Sequence, residues 1–248
     1  MNKTILLFVL SIVIPCKGKF QTTRNVRLFD TNKVIEVPVF TIQNKYTKIE
    51  NPYFNHVMSG MPIKEKTFVS MRYDNDFLEI KFECRNNPRL HQNYYTKDNS
   101  YMFHQEVFEL FISNGEEAKE HYLEIELNPN NALFLGKITN KYKSDKLFKL
   151  DFIDTSTSGI VHTVEKDSKN RVWKGYLKIP VLLLGYPSQT SKNIYRINMF
   201  RIISNKDQVD KNWKADPNNA TFACWSSPMT HKPRFHVPDY FGFLIFEK

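Results

Sequence analysis

The sequence predicts an all-β protein: an antiparallel β-sandwich of the jelly-roll or immunoglobulin-like kind, with very few short helices. Apolar and polar residues alternate at a period of two along much of the chain from Thr67 onward, the pattern of strands with one buried face. Clusters of Asn, Asp and Gly separate these runs as turns do. Helical signal is confined to Pro180–Leu184 and Pro52–Met58, a turn or two each. Many strands at short spacing with so little helix point to two packed sheets.

The elements follow in order. Residues Met1–Gly18 read as a secretory signal peptide. Lys3 is a short positive start, Ile5–Ile14 an apolar run too short to span a bilayer, and Cys16 and Gly18 the small residues before a cleavage point. Cys16 is the alternative attachment point for a lipid tether, although Val13, Ile14 and Pro15 match that motif poorly. No later segment is apolar enough for a membrane helix, so the expected location is secreted: periplasmic, cell-surface or extracellular. Residues 19–50 are less patterned and read as an N-terminal arm or edge strand, and residues 51–248 as the sandwich itself.

Within that sandwich, Thr67–Arg72 and Phe77–Cys84 form a hairpin around Asp74-Asn75-Asp76, with Leu78, Ile80, Phe82 and Cys84 on one face. Val107–Ser113 sets Val107, Glu109 and Phe111 opposite Phe108, Leu110 and Ile112. Tyr122–Leu127 puts Glu124 and Glu126 on one face and ends at Asn128-Pro129-Asn130-Asn131. Further strands are read at Ala132–Ile138, Phe148–Ile153, Gly159–Lys166, Val172–Ile179, Tyr195–Ile203, Thr221–Trp225 and Gly242–Phe246. Ser204–Asn219 is a long polar loop carrying Trp213, and such loops in compact β domains often carry function.

Composition narrows the function. The chain has 248 residues, 41% hydrophobic and 25% charged, which excludes a disordered or collagen-like protein. The net charge of +9 is spread along the chain; its densest cluster is Lys137, Lys141, Lys143, Lys146 and Lys149, around Tyr142 and Phe148. No nucleic-acid-binding motif accompanies it, so it reads as a solvated loop and no nucleic-acid partner is expected. Three Cys are too few for a disulfide scaffold. Cys84 and Cys224 read as buried free thiols, with a disulfide chemically permitted by export.

Catalytic signatures are sparse. The sequence lacks a G-x-S-x-G elbow, a P-loop, a G-x-G-x-x-G turn and an H-E-x-x-H pair. Its seven His are scattered, so no metal site is expected, and Asp74 with Asp76 is too little for calcium. Glu124 and Glu126 read as a solvated outer face; a carboxylate pair for glycoside hydrolysis, or for binding sugar hydroxyls, is the alternative.

Five segments in order resemble family 9 carbohydrate-binding modules, and more closely the family 9-like domains of secreted bacterial proteins. Phe103–Ile112 is similar to their W-E-D-S-V-E-x-F-I strand and Tyr122–Asn128 to Y-x-x-F-E-x-N. Trp173–Pro180 resembles W-x-x-E-x-x-I-P, and Tyr195–Arg201 resembles W-R-x-N-F-x-R. Phe222–Pro228 with Arg234–Phe246 resembles the ending W-S-P, then F-H-x-P-x-x-F-G-x-L-x-F.

The resemblance implies a sugar-binding sandwich without chemistry of its own, with an oligosaccharide or polysaccharide as partner and a role in polysaccharide capture or catabolism. In that family two Trp rings clamp a sugar; the matching positions here are Phe103 and Phe235, which offer less ring area. Glu109 matches the sugar-binding Glu, and Asn198 and Arg201 lie in the strand that supplies polar contacts. Gln105 and His236 flank the rings. The resemblance implies no cofactor.

Two other classes remain open. Haem-binding DOMON-type domains share the sandwich and use Met and His as iron ligands, for which Met102, His104, Met199 and His236 are the candidates. A glycoside-hydrolysing or accessory protein would use Glu109 with Glu124 or Glu126 as acid and base.

Overall fold

The computed structural model describes residues 22–28, 31–117, 120–141 and 147–247. The signal-peptide reading, the Cys16 alternative, and Tyr142, Lys143 and Lys146 of the lysine cluster fall outside these residues.

A hairpin of β1 (Thr23–Arg27) and β2 (Val34–Ile42) opens the chain, followed by the short strands β3 (Thr47–Lys48) and β4 (Tyr53–His56). The long β5 (Pro62–Tyr73) leads into β6 (Phe77–Cys84). The middle of the chain is β7 (Val107–Asn114), β8 (His121–Leu127), β9 (Leu133–Thr139) and β10 (Lys149–Phe152). After β11 (Val161–Asp167) and β12 (Val172–Pro180) comes a single helical turn, α1 (Val181–Leu184). β13 (Ile194–Ser204), β14 (Ala220–Cys224) and β15 (Gly242–Phe246) complete the fold.

The larger sheet runs β10–β9–β8–β7–β13–β14–β4. The smaller runs β3–β5–β6–β12–β11. β5 ties them together, since Tyr53↔Lys66 joins its first half to β4 while Thr67–Tyr73 pairs with β6. The β5–β6 hairpin closes as its sequence predicts: Asp74 Oδ1 accepts the backbone N–H groups of Asp76 and Phe77 at 2.9 and 2.8 Å, an Asx turn.

One expectation changes, and another gains detail. Pro52–Met58 is not helical; Tyr53–His56 is a strand, because pairing with β14 and β5 supplies its backbone hydrogen bonds. Residues 19–50 contribute β1, β2 and β3, and β2 docks on β15 in parallel, Phe243↔Val39 through Phe246↔Ile42. The sandwich is otherwise antiparallel. Val37, Val39 and Phe243 bury one another at this junction.

Apolar residues form two layers. Between the sheets lie Leu78, Ile80 and Phe82 of β6, Phe108, Leu110 and Ile112 of β7, and Trp173 and Leu177 of β12. Phe82 stacks on Phe108 at 3.9 Å and meets Trp173 edge-on at 5.1 Å. A second cluster covers the opposite face of the larger sheet, where Phe111, Tyr122, Phe134 and Phe200 meet Trp213 and Phe241 from loops. The strands β7, β8 and β13 are therefore buried on both faces, as in sheets with elements packed on each side.

The two Cys occupy different layers, Cys84 between the sheets and Cys224 under the loops, and both are free thiols. Burial pushes each thiol up to about 12. Because the thiolate is the reactive species, Cys84 and Cys224 are expected to ignore a disulfide reagent in the native protein. Both should react once it is denatured; fast labelling of the native fold would contradict this placement. Among the described residues no helix is long and apolar enough to cross a membrane.

Candidate functional site

The covering loops leave an opening of about 460 Å³ on the larger sheet. Its walls are aromatic: Tyr101, Phe103 and His104 from the turn before β7, Phe148 beside β10, Phe222 of β14 and Phe235 of the 233–236 loop. Glu109 and Glu124 reach it from the sheet below.

The loops are held by side chains spent on backbone groups. Gln105 Oε1 accepts from Tyr94 N at 2.8 Å, and its Nε2 donates to the carbonyls of Lys211 and Trp213 at 2.8 and 3.2 Å. Trp213 Nε1 donates to the Gln92 carbonyl at 2.8 Å. Asn128 Nδ2 donates to Asn93 Oδ1 and to the Tyr95 carbonyl, and Asn140 Nδ2 to the His236 carbonyl at 3.0 Å. These bonds fasten distant segments over the sheet.

Phe103, Phe148 and Phe235 keep one side packed and stay half-buried. Phe235 stacks on Phe200 with centroids 4.2 Å apart, and Phe103 meets Phe134 edge-on at 5.9 Å. His236 stacks on Phe148 at 3.8 Å, and its Nδ1 lies 2.8 Å from the Tyr122 hydroxyl. Burial pushes its imidazole down to about 3, so it stays neutral. Gly136, opposite Glu124 in the ladder, lacks the Cβ that would strike Leu150 at the cleft edge.

The floor comes from register. Glu109 pairs with Glu126, and Phe111 with Glu124, between β7 and β8. The period of two then sends all three carboxylates to one face, where an oxygen from each lies within 4.8 Å of the others. All are buried, Glu109 to 1% exposure. Burial, then the Glu124 charge, pushes Glu109 well above the usual carboxylate range. Burial pushes Glu124 up to about 7, and burial followed by both neighbours drives Glu126 well up. The expected solvated face is thus incorrect for Glu124 and Glu126: loops from elsewhere in the chain roof it.

Of the expected site residues, Phe103, Glu109, Phe235 and His236 line the opening. Three others are engaged elsewhere. Gln105 is a loop latch, as described. Asn198 donates from Nδ2 to the Ser226 carbonyl at 2.8 Å and accepts Ser226 N at 2.9 Å, joining β13 to the chain after β14.

Arg201 points the opposite way, into the space between the sheets, with no exposed surface. It donates to Glu106 Oε1 at 3.2 Å and Thr67 Oγ1 at 3.1 Å, and Trp173 Nε1 also donates to Glu106 Oε1 at 3.2 Å. Its acidic partner is therefore Glu106. Burial pushes the Glu106 carboxyl up, against the pull of Arg201. The other arginine of that segment, Arg196, is structural too, donating to the Phe241 and Asp239 carbonyls at 3.0 Å each.

Tyr101, Phe148, Leu150 and Phe222 also line the opening without standing among the expected site residues; of these, Phe148 carries a signal in the sequence, an aromatic within the lysine cluster. For iron ligation, Met199 lies in the between-sheet layer while His236 packs on the opposite face of the sheet, so these two do not converge.

No protein-family model matches the sequence. It is 27% identical over 186 residues to an extracellular protein of the fungus Arthroderma benhamiae, covering 73% of this chain and 78% of that one. The fold is that of a Bacteroides uniformis protein proposed to bind carbohydrate, whose crystal structure superposes with a TM-score of 0.61. The identity is 14%, over 84% of this chain and 99% of that one. Two structures of a family 9 carbohydrate-binding module from Caldicellulosiruptor kristjanssonii, with glucose and with cellotriose, superpose with TM-scores of 0.46 and 0.44. Each is 10% identical and covers 84% of this chain, with 95% and 93% of theirs. The class defined by fold and site is a β-sandwich with a ring-walled, carboxylate-floored cleft in one roofed sheet.

Proposed function

We propose that the protein is a secreted, non-catalytic carbohydrate-binding protein that seats a saccharide in this cleft for polysaccharide capture. The observation that carries the reading is the pairing of half-open aromatic rings with buried carboxylates in one opening. Ring faces suit the C–H faces of a sugar, and carboxylate oxygens accept from its hydroxyls. Phe103 and Phe235 stack on the sugar and Glu109 takes hydroxyl hydrogen bonds; Gln105, Asn198 and Arg201 hold the scaffold. The shared fold with a protein proposed to bind carbohydrate supports this reading, and the extracellular relative supports secretion.

The carboxylate geometry favours binding over hydrolysis. Glu109 and Glu124 rise from one face of one sheet with oxygens within 4.8 Å. A glycosidase pair must flank the scissile bond from opposite sides, whereas these approach a ligand from the same side.

A glycan array followed by calorimetry tests the proposal. A defined saccharide is expected to bind the purified protein, and Phe103→Ala with Phe235→Ala should weaken it about a hundredfold while the protein stays folded. Undiminished binding in the double variant would refute the clamp. Turnover of a chromogenic glycoside, lost in Glu109→Gln, would refute the non-catalytic reading.

A further inference from the structure

The cleft floor holds more acid than a neutral sugar requires. Glu109, Glu124 and Glu126 converge in a buried cluster, and among the described residues no lysine or arginine is paired with them. One oxygen of Glu109 and both of Glu126 receive no hydrogen bond from outside the cluster. Elsewhere the fold compensates its buried carboxylates: Arg201 donates to Glu106, and Arg72 to Glu79. An uncompensated buried acid is costly, and here it faces an opening rather than a neighbouring strand.

The walls above it have matching chemistry. The faces of Phe103, Phe148 and Phe235 carry the negative side of the ring quadrupole, which attracts a cation. A divalent metal suits the site less well, since calcium takes six to eight oxygens and the walls here are mainly rings and aliphatic groups.

On the saccharide reading above, we propose that the ligand is a cationic amino sugar, whose ammonium group sits on the Glu109–Glu124 floor while its ring lies against the aromatic walls. The ligand thus supplies the cation that the fold leaves out. A neutral sugar would leave these carboxyls protonated, whereas a bound ammonium group stabilises their ionised form.

Calorimetry of the full protein with β-1,4-linked trimers of glucosamine, N-acetylglucosamine and glucose tests this. The glucosamine trimer is expected to bind about tenfold or more tightly than either neutral trimer, the scale of one charge-assisted hydrogen bond. The ratio should fall toward one in Glu124→Gln, and likewise in Glu126→Gln, which alters the cluster from beneath the lining. Equal or tighter binding of a neutral trimer overturns the inference and leaves the saccharide reading standing. Calcium that binds alone and displaces glucosamine also overturns it, by assigning the carboxylates to a metal. Binding of no trimer and of no member of the glycan array removes the saccharide reading itself, and this inference with it.

Discussion

Replacing Arg201 by methionine lowers the stability of the protein by about 3–5 kcal/mol, the usual cost of stranding one partner of a buried ion pair. Arg201 has no exposed surface and donates to Glu106 and Thr67 between the sheets. Its loss leaves Glu106 with the Trp173 indole as its remaining partner from this trio. Native domains are stable by only about 5–15 kcal/mol, so the change removes a large part of the total. Urea unfolding measures it. Arg201→Met with Glu106→Gln should recover most of the loss, because the buried charge is gone and an acceptor for Trp173 remains. Saccharide affinity per folded molecule should stay within about twofold, as Arg201 faces away from the cleft. A stable Arg201→Met that loses binding would instead place Arg201 on the ligand.

Glu124→Gln has the opposite effect on stability. Burial holds Glu124 at about 7, against 4.5 for an ordinary glutamate. As pH rises through this interval, the unfolded chain gives up its proton while the native one keeps it, so stability falls. A displacement of that size corresponds to roughly 3 kcal/mol, lost progressively between the two values and fully above the upper one. His236, pushed down to about 3, works in the other direction, adding stability as pH rises through the acidic range. It is present in both proteins, so its contribution cancels in their difference. Glu124→Gln should therefore melt on the order of 5–10 °C higher than the parent at pH 8, with the gap nearly closed at pH 4. A pH-independent gap would mean that Glu124 is ionised and satisfied in the native state.

Much of the sandwich is legible in the sequence, because a period of two with turn residues between is a local signal. The phase of β7 correctly separates Glu109 from Phe108 and Leu110, which enter the between-sheet layer. The same rule also locates Arg201: Ile197, Met199 and Ile203 share its parity along β13 and all lie between the sheets. The motif resemblance, not the alternation, drew Arg201 toward the ligand. Burial of Glu124 and Glu126 is not legible from their own strand, because the roof comes from residues about a hundred positions away, such as Phe235 and His236. Gln105 is equally opaque, since its partners are backbone groups at Tyr94, Lys211 and Trp213. Tyr53–His56 becomes a strand through pairing with β14 and β5, which outweighs a weak local preference. Phe148 reads from the sequence as the start of a strand beside a lysine-rich loop, and its place in the cleft wall comes from packing on His236, far away in the chain.

The central claim is that the ring-walled cleft is where a saccharide binds, and a crystal structure of the protein with its best-binding oligosaccharide tests it most directly. The account predicts a sugar ring against Phe103 and Phe235, with a polar group of that sugar on Glu109. Density for the sugar elsewhere, such as the open groove between Phe68 and Tyr176 on the smaller sheet, with the cleft empty, would contradict it.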